Sequence, residues 1–528
     1  MPNPHVGERP SDFADRLGQW YSSTHSLAHK KKYGQYLTPA GIADFMASLF
    51  STASAEHVRV LDPGAGAGIL SCALCERLAS AERKHVRVVL DAYELDSGLC
   101  AVLEKSFDHL RACLAERHVD LTSHIHCEDF VLQHGRSLSD CRYLFDLKRP
   151  EYAFDMCISN PPYFKLARMD PRARAAEAAV HGQPNIYSLF MAVSASMLKK
   201  DGEMVFITPR SFASGQYFRR FRERFFGLVQ PKRIHVFASR RDAFKRDKVL
   251  QENIIIKAQR NGATHGQIVH ISSSLNIPEV NHTKALKVPL SLVLDMSTKE
   301  KNLRIPENRE QVSVLKKIES WNGSLALYGL RISTGPVVPF RAERFLVESH
   351  GGNGMNAPLL WMQNVGPMAI KWPRKTRGKP QYIRVQQDSL PLLVPDKNYV
   401  LLRRFSAKEE AQRLTAAPLI GGRLGSELIG IENHLNYIHR PGGSLSTDEA
   451  WGLAALYNSA FFNDYFRALS GNTQVSATEI RSIPLPPLDA IIHIGRMARE
   501  CHKPKEVESK ILNALRGVAR KEGSTHCG

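Results

Sequence analysis

Asn160-Pro161-Pro162-Tyr163 bring together a side-chain amide carbonyl, backbone carbonyls stiffened by two proline rings, and an aromatic face. That set suits a planar amino group on a planar ring, with acceptors in the ring plane and an aromatic surface above it. The residues before it, Phe154-Asp155-Met156-Cys157-Ile158-Ser159, have the length and apolar character of a buried strand. Pro161 and Pro162 have no N–H to offer a ladder, so the strand must end there. Ligands of open α/β sheets sit at the carboxyl ends of the strands, and the position therefore agrees with the chemistry. Taken alone, such a tetrapeptide is equally an ordinary strand-terminating turn.

A second group of residues suits a nucleoside. Val58-Arg59-Val60-Leu61 reads as a strand, broken by Asp62-Pro63-Gly64-Ala65-Gly66-Ala67-Gly68 before an apolar helix. Gly64, Gly66 and Gly68 allow a tight turn and let a ligand approach the backbone without meeting a Cβ. Residues 86–94 form a second strand ending in Glu94, 26 residues beyond Gly68. A carboxylate there can accept both hydroxyls of a ribose. A third strand near His124-Ile125-His126-Cys127 leads to Asp129 and Phe130, an acceptor for an adenine amino group and a ring to pack on it. A phosphate cradle fits less well, because no Gly-Lys-Ser/Thr follows the turn and Asp62 would repel a pyrophosphate. No metal site is expected. His124 and His126 read as strand-face residues, and Cys72-Ala-Leu-Cys75 as one buried face of a helix.

These groups need a doubly wound parallel sheet to position them. After the strand through Ser159, a helix over 185–198 and a fifth strand over 202–209 follow, and Asn253-Ile254-Ile255-Ile256 closes the sheet. Residues 1–32 read as a polar arm, and Thr38 as the N-cap of a helix with Pro39 at its first position. Residues 261–330 form a looser connection. Beyond residue 331 come many short strands, then a helix over 448–465, an irregular loop over 469–475, and a terminal basic helix over 506–521.

At 528 residues the chain is long enough for two large domains. The formal net charge of +19 and pI near 9.5 suit a protein that holds a polyanion. Both halves share the excess, +8 over residues 1–265 (37 basic, 29 acidic) and +11 over 266–528 (34 and 23). Residues 371–384 hold six basic and no acidic side chains, among them Lys371, Arg374, Lys375 and Arg377, with Trp372 and Tyr382 between. Phe244, within Arg240-Arg241-Asp242-Ala243-Phe244-Lys245-Arg246, has no apolar neighbours to bury it and is placed for base stacking. No stretch approaches the roughly 20 apolar residues of a membrane span, and the first residues lack an apolar signal core, so a cytoplasmic protein is expected. Seven of the nine cysteines lie between Cys72 and Cys157, mostly in apolar surroundings that suggest reduced core thiols.

The order of these features resembles the gamma-type, TaqI-like adenine-specific DNA methyltransferases of bacterial restriction–modification systems. A Thr-Pro segment (residues 33–45) precedes the glycine turn, Asn-Pro-Pro-Tyr comes later, and a large C-terminal half follows, bearing Ser470-Gly471-Asn472-Thr473-Gln474-Val475 and Ile483-Pro484-Leu485-Pro486. The resemblance implies an S-adenosylmethionine-dependent catalytic domain over 33–260 of Rossmann-like, doubly wound α/β fold. After the connection over 261–330, it implies a mixed α/β DNA target-recognition domain over 331–528. It further implies that Thr38, Asp62, Gly64, Gly66, Gly68, Glu94, Asp129 and Phe130 bind S-adenosylmethionine. Asn160 and the carbonyl of Pro161, stiffened by Pro162, would hold the adenine amino group, while Tyr163 and Phe244 sandwich the flipped base. Lys371, Arg374, Lys375 and Arg377 would contact double-stranded DNA. The 30-residue arm is too short for a fused nuclease, so a stand-alone methylase of bacterial cytoplasm with a separate cognate restriction endonuclease is expected.

Rival chemistries are distinguishable. Methylation at carbon 5 of cytosine needs a Pro-Cys nucleophile, and the chain has no Pro-Cys pair. Amino-cytosine methylation is close chemically, but a Ser usually opens its motif. RNA or protein-glutamine methyltransferases use similar turns without the large basic C-terminal half. A DNA-binding protein with a degenerate methyltransferase fold would not need Gly66, Gly68, Glu94 and Asn160 intact.

Overall fold

The computed structural model describes residues 1–26, 28–29, 33–34, 37–51, 56–80, 86–138, 153–237, 252–260, 266–274, 283–296, 298–348, 355–374, 376–407, 410–501, 506 and 508–515. It divides into two compact units, Met1–Glu307 and Asn308–Gly528.

The first unit is built on a nine-stranded sheet. Its strands are β1 (His57–Pro63), β2 (Val86–Tyr93), β3 (Val119–His126), β4 (Phe154–Ser159), β5 (Leu198–Pro209), β6 (Gln230–Phe237), β7 (Asn253–Gln259), β8 (Ile268–Ser274) and β9 (Leu286–Pro289). Their order across the sheet is β3-β2-β1-β4-β5-β7-β6-β8-β9. β1 to β5 run parallel to one another, whereas β7 runs antiparallel between β5 and β6. From β1 the chain winds outward through β2 and β3, then returns to place β4 on the other side of β1. That reversal opens a crevice at the carboxyl ends of β1 and β4, the place where doubly wound sheets bind ligands. Val60 pairs with Met156 and Leu61 with Cys157. The same offset brings Gly64 level with Asn160.

The helices Ala40–Ser48, Ile69–Ala79 and Ser97–Ala115 cover the sheet and close a core of fully buried side chains, among them Val60, Leu74, Val88, Leu103, Phe107 and Ile158. Cys72 and Cys75 are both buried on the helix Ile69–Ala79, as their spacing implies.

Several expectations are corrected. Residues 1–32 are not simply an arm. Pro10–Thr24 is a helix whose Phe13, Leu17 and Tyr21 form a buried cluster with Ala67, Leu99 and Val102, because those apolar residues recur at helical spacing within a polar segment. The stretch 261–330 is not a loose connection either: β8 and β9 extend the sheet, and a helix spans Arg309–Glu319. Accordingly Asn253–Gln259 does not close the sheet but lies inside it, which suits a strand whose Ile254, Ile255 and Ile256 are all buried. Thr38 is not the N-cap; the helix starts at Ala40 with Pro39 as the cap. Cys100 and Cys127 are joined as a disulfide with Cα atoms 6.3 Å apart, against the expectation of reduced thiols, since the end of β3 runs beside the helix that follows β2.

The second unit has a four-stranded sheet ordered Arg331–Thr334, Leu435–His439, Tyr399–Arg403, Ala416–Leu419, and a five-stranded sheet that includes Asn356–Leu360 and Leu428–Ile431. The expected single helix over 448–465 is two, Thr447–Asn458 and Ala460–Leu469. Ser459 leaves helical geometry (ψ 148°), and its hydroxyl caps the second helix by accepting from the Phe462 N–H. A capping box starts the first: Ser446 Oγ accepts from Glu449 N at 3.1 Å, and the Glu449 carboxylate accepts from Ser446 N at 2.6 Å. Residues 508–515 are helical; the rest of the expected terminal helix lies largely outside the described residues. Among the described residues no helix is long and apolar enough to cross a membrane.

Gly68 offers a test of how tightly the glycine turn is locked to its support. It caps the helix Ile69–Ala79 at φ 85°, and an added Cβ would lie 2.6 Å from Leu103 Cδ1. Gly68→Ala should cost about 2–3 kcal/mol from positive φ and overpacking together, read as a lower midpoint in denaturant unfolding. An unchanged midpoint would show that the turn relaxes freely.

Candidate active site

The crevice holds a pocket lined by Gly64, Gly66, Glu94, Asp129, Phe130, Asn160 and Pro162, seven of the residues picked from sequence. Backbone conformation explains the glycines: Gly64 and Gly66 have φ of 75° and 57°, a region that favours glycine, and both face the pocket. Glu94 follows β2 and is held rigidly. Its carboxylate accepts from the N–H groups of Gly66 at 3.0 Å and of Leu95 and Asp96 at 2.9 Å each. Burial raises its pKa, and those backbone donors work in the opposite direction. Asp129 caps the short helix Phe130–His134 by accepting from Leu132 N at 3.0 Å, and Arg172 lies 3.8 Å from it. Phe130 packs between Tyr93 and Phe190.

Asp62 lies beneath the pocket, fully buried. Ser71 Oγ donates to its Oδ2 at 2.6 Å, while its Oδ1 is buried with no hydrogen-bond partner among the described residues. Burial pushes its pKa up to about 7, and the neighbouring Glu94 adds to the rise.

Asn160 directly follows β4 and is clamped from both sides. Its Nδ2 donates to Thr38 Oγ1 at 3.0 Å, and Tyr163 Oη donates to its Oδ1 at 2.6 Å. Tyr163 Oη also lies 2.9 Å from the Ile207 carbonyl at the end of β5, and the Tyr163 ring meets Tyr187 edge-on. Tyr163, Thr38 and Pro161 are buried behind the pocket wall rather than in its lining.

Phe244 and Lys375 lie outside the described residues. Lys371, Arg374 and Arg377 are exposed on the second unit, where Arg374 Nη1 donates to the Gln363 carbonyl at 2.7 Å and Lys379 Nζ sits 4.2 Å from the Trp361 ring. His126 and His124 both approach Asp91, at 3.1 and 3.4 Å. Sequence reasoning missed Leu95, Phe190 and Arg172 as lining residues. Leu95 was within reach from its place directly after Glu94 at the end of β2. Phe190 and Arg172 come from the helix Ile186–Met197 and the short helix Pro171–Ala175, and nothing in their spacing marks the inward face.

The model of the Eco57I restriction-modification methylase family matches residues 80–244. The chain is 32% identical over 492 residues to the Type II methyltransferase M.BsuBI of Bacillus subtilis, covering 93% of this chain and 95% of that one. The identity is also 32% to the Type II methyltransferase M.PstI of Providencia stuartii, covering 91% and 92%. The chain belongs to this family of Type II methyltransferases. Among solved structures, the type IIG restriction endonuclease BpuSI aligns with a TM-score of 0.43 at 12% identity, over 98% of this chain and 69% of that one.

The residues present fit S-adenosylmethionine. The glycine backbone leaves room: among the described residues a Cβ on Gly66 would meet only Leu37, at 3.7 Å. Glu94 lines the pocket with its carboxylate held by three backbone N–H groups. Glu94 gives the pocket wall an acidic side chain, and Asp62 is buried behind it.

The raised pKa of Asp62 has a sign that can be tested. The folded protein holds a proton there that the unfolded chain has lost, so stability falls as pH rises between about 4 and 7 and levels off above. Asp62→Asn should flatten that fall in unfolding midpoints measured across the window; an unaltered slope would assign it elsewhere. Glu94→Ala should weaken cofactor binding by calorimetry, because one carboxylate serves two hydroxyls, and unchanged affinity would remove Glu94 from the site.

Proposed function

We propose that this methyltransferase transfers the methyl group of S-adenosylmethionine to the exocyclic amino nitrogen of adenine in duplex DNA, at a specific sequence and on a base flipped out of the helix. The observation that carries the reading is Asn160, held by Thr38 and Tyr163 at the rim of the cofactor pocket.

The bound cofactor supplies an electrophilic methyl on a sulfonium. The chain's task is then alignment and polarisation, since the adenine amino nitrogen is a poor nucleophile whose lone pair delocalises into the ring. The Asn160 side-chain carbonyl and the Pro161 backbone carbonyl accept from its two hydrogens and favour a tetrahedral nitrogen with the pair free. Pro162 stiffens that turn. A base inside a duplex cannot reach these groups, so it must be extruded at a cost of a few kcal/mol, offset in part, in our reading, by stacking on Phe244 and on Tyr163 once the substrate has opened the wall that covers that ring. The basic second unit supplies the duplex contacts, Lys371, Arg374, Lys375 and Arg377 among them. Such an enzyme works in the bacterial cytoplasm and protects its target from a separate restriction endonuclease of the same specificity.

Asn160→Ala should keep cofactor and DNA binding and lose at least about a hundredfold in rate, the size of a removed polarising interaction. Near-normal turnover would sink the catalytic assignment. Replacing Arg374, Lys375 and Arg377 together should weaken binding to cognate and scrambled duplexes alike and flatten its salt dependence, by nearly one unit of slope for each phosphate no longer neutralised. Relaxed preference at a single base pair would instead mark a guanine-reading arginine. An unchanged salt slope would put the DNA on another surface.

A further inference from the structure

We infer that Cys100 and Cys127 form a reversible redox site that sets the affinity of the cofactor pocket: the disulfide ties two of its walls together, and reduction releases one of them. The inference rests on the reading of that pocket as the S-adenosylmethionine site.

The bridge joins the two turns that line one side of the pocket. Cys100 stands in the first turn of the helix Ser97–Ala115, directly after Leu99, and Cys127 directly follows β3, next to Glu128, Asp129 and Phe130. Leu99, Glu128, Asp129 and Phe130 all line the pocket, as do Glu94 and Leu95 just before the helix. The two turns are anchored differently. Asp96 caps the helix by accepting from Gly98 N at 3.1 Å, and Tyr21 Oη donates to the same carboxylate at 2.8 Å, which ties the helix start to the helix Pro10–Thr24. On the other side the pairing of β2 with β3 ends at Tyr93 and His126, and the disulfide takes over where that ladder stops. Cys100 Sγ also lies 3.5 Å from the Glu94 carbonyl oxygen, so a reduced Cys100 has an acceptor for its S–H in the pocket wall.

Exposure makes the bridge exchangeable. Cys127 is exposed, whereas Cys100 is only 7% exposed. Exchange requires an external thiolate to reach one sulfur, and Cys127 Sγ offers that access. The thiolate bonds to Cys127 Sγ as the Cys100–Cys127 bond breaks, and Cys100 leaves as a thiolate that takes a proton from water. A second thiolate then attacks the incoming sulfur and frees Cys127. Two small-molecule thiols thereby become one disulfide while the protein's disulfide becomes two thiols, and a small-molecule disulfide drives the same steps backward. Cys72, Cys75 and Cys157 are buried, and burial pushes their thiols up, away from the reactive thiolate. In the bacterial cytoplasm of the functional reading, disulfides are usually transient or redox-sensing rather than permanent staples.

Equilibrating the unaltered protein with reduced glutathione or with glutathione disulfide gives the two states. Thiol titration after denaturation counts them, and mass spectrometry of the linked Cys100 and Cys127 peptides locates the bridge. We expect the oxidised protein to bind S-adenosylmethionine about three- to tenfold more tightly by calorimetry, since the bridge holds the wall in place before the ligand arrives. Cys127→Ser should bind like the reduced protein under both conditions. Should that variant not fold, as thermal unfolding would show, Cys127→Ala takes its place. Equal dissociation constants in the two states overturn the inference. So does a Cys127→Ser protein that still responds to glutathione disulfide, or a bridge that survives excess dithiothreitol in the folded protein. Failure of the pocket reading looks different, since neither state would then bind S-adenosylmethionine.

Discussion

The site depends on one backbone pairing, that of β1 with β4. The pairing is short, with Val60 against Met156 and Leu61 against Cys157, yet it joins segments nearly a hundred residues apart in sequence. Without it the glycine turn and Asn160 have no fixed relation. With it, the turn after β1 and the turn after β4 emerge side by side at the sheet's switch point. The Ser159 hydroxyl reinforces the register by donating to the Pro63 carbonyl, one residue before each turn begins. Everything that surrounds the pocket is supported from this seam: β2 carries Glu94, β3 leads to Asp129 and Phe130, and β5 brings the Ile207 carbonyl against Tyr163.

What could be read from the sequence is what chain-local physics determines. Pro161 and Pro162 end a strand wherever they stand, and Gly64 and Gly66 signal backbone that other residues resist, so both turns were legible, as were β1 to β5. The helix at 10–24 was not, because its polar composition outweighed the spacing of Phe13, Leu17 and Tyr21, which is apparent only once Ala67, Leu99 and Val102 are there to receive them. β8 and β9 were missed for a similar reason. β8 carries Ser272, Ser273 and Ser274, and its Ser272 and Ser274 hydroxyls are satisfied by the two ring nitrogens of the buried His235, a pairing that no local pattern announces. The pocket floor was legible in residue types, whereas its walls, Phe190 and Arg172, depend on which face of two helices turns inward.

The hydrogen bonds of Asn160 show how the same residue types serve a different purpose from the one their spacing suggests. Thr38 and Pro39 before a helix look like a cap, yet the chain uses Pro39 for the cap and turns the threonine toward β4. Tyr163 looks like a free stacking surface, yet its hydroxyl is committed to Asn160 and Ile207. Two buried side chains thereby hold a half-buried amide that lines the pocket.

Electrostatics divides the pocket in a similar way. Asp62 and Glu94 sit together in a place that water barely reaches, and desolvation disfavours two adjacent charges there. Glu94 is compensated by three backbone N–H groups, whereas Asp62, among the described residues, has only Ser71 and keeps one oxygen without a partner. Burial therefore raises the pKa of both carboxyls, that of Asp62 to about 7, and the pocket is left with the better compensated of the two: Glu94 lines it, while Asp62 stays behind it in contact with Ser71.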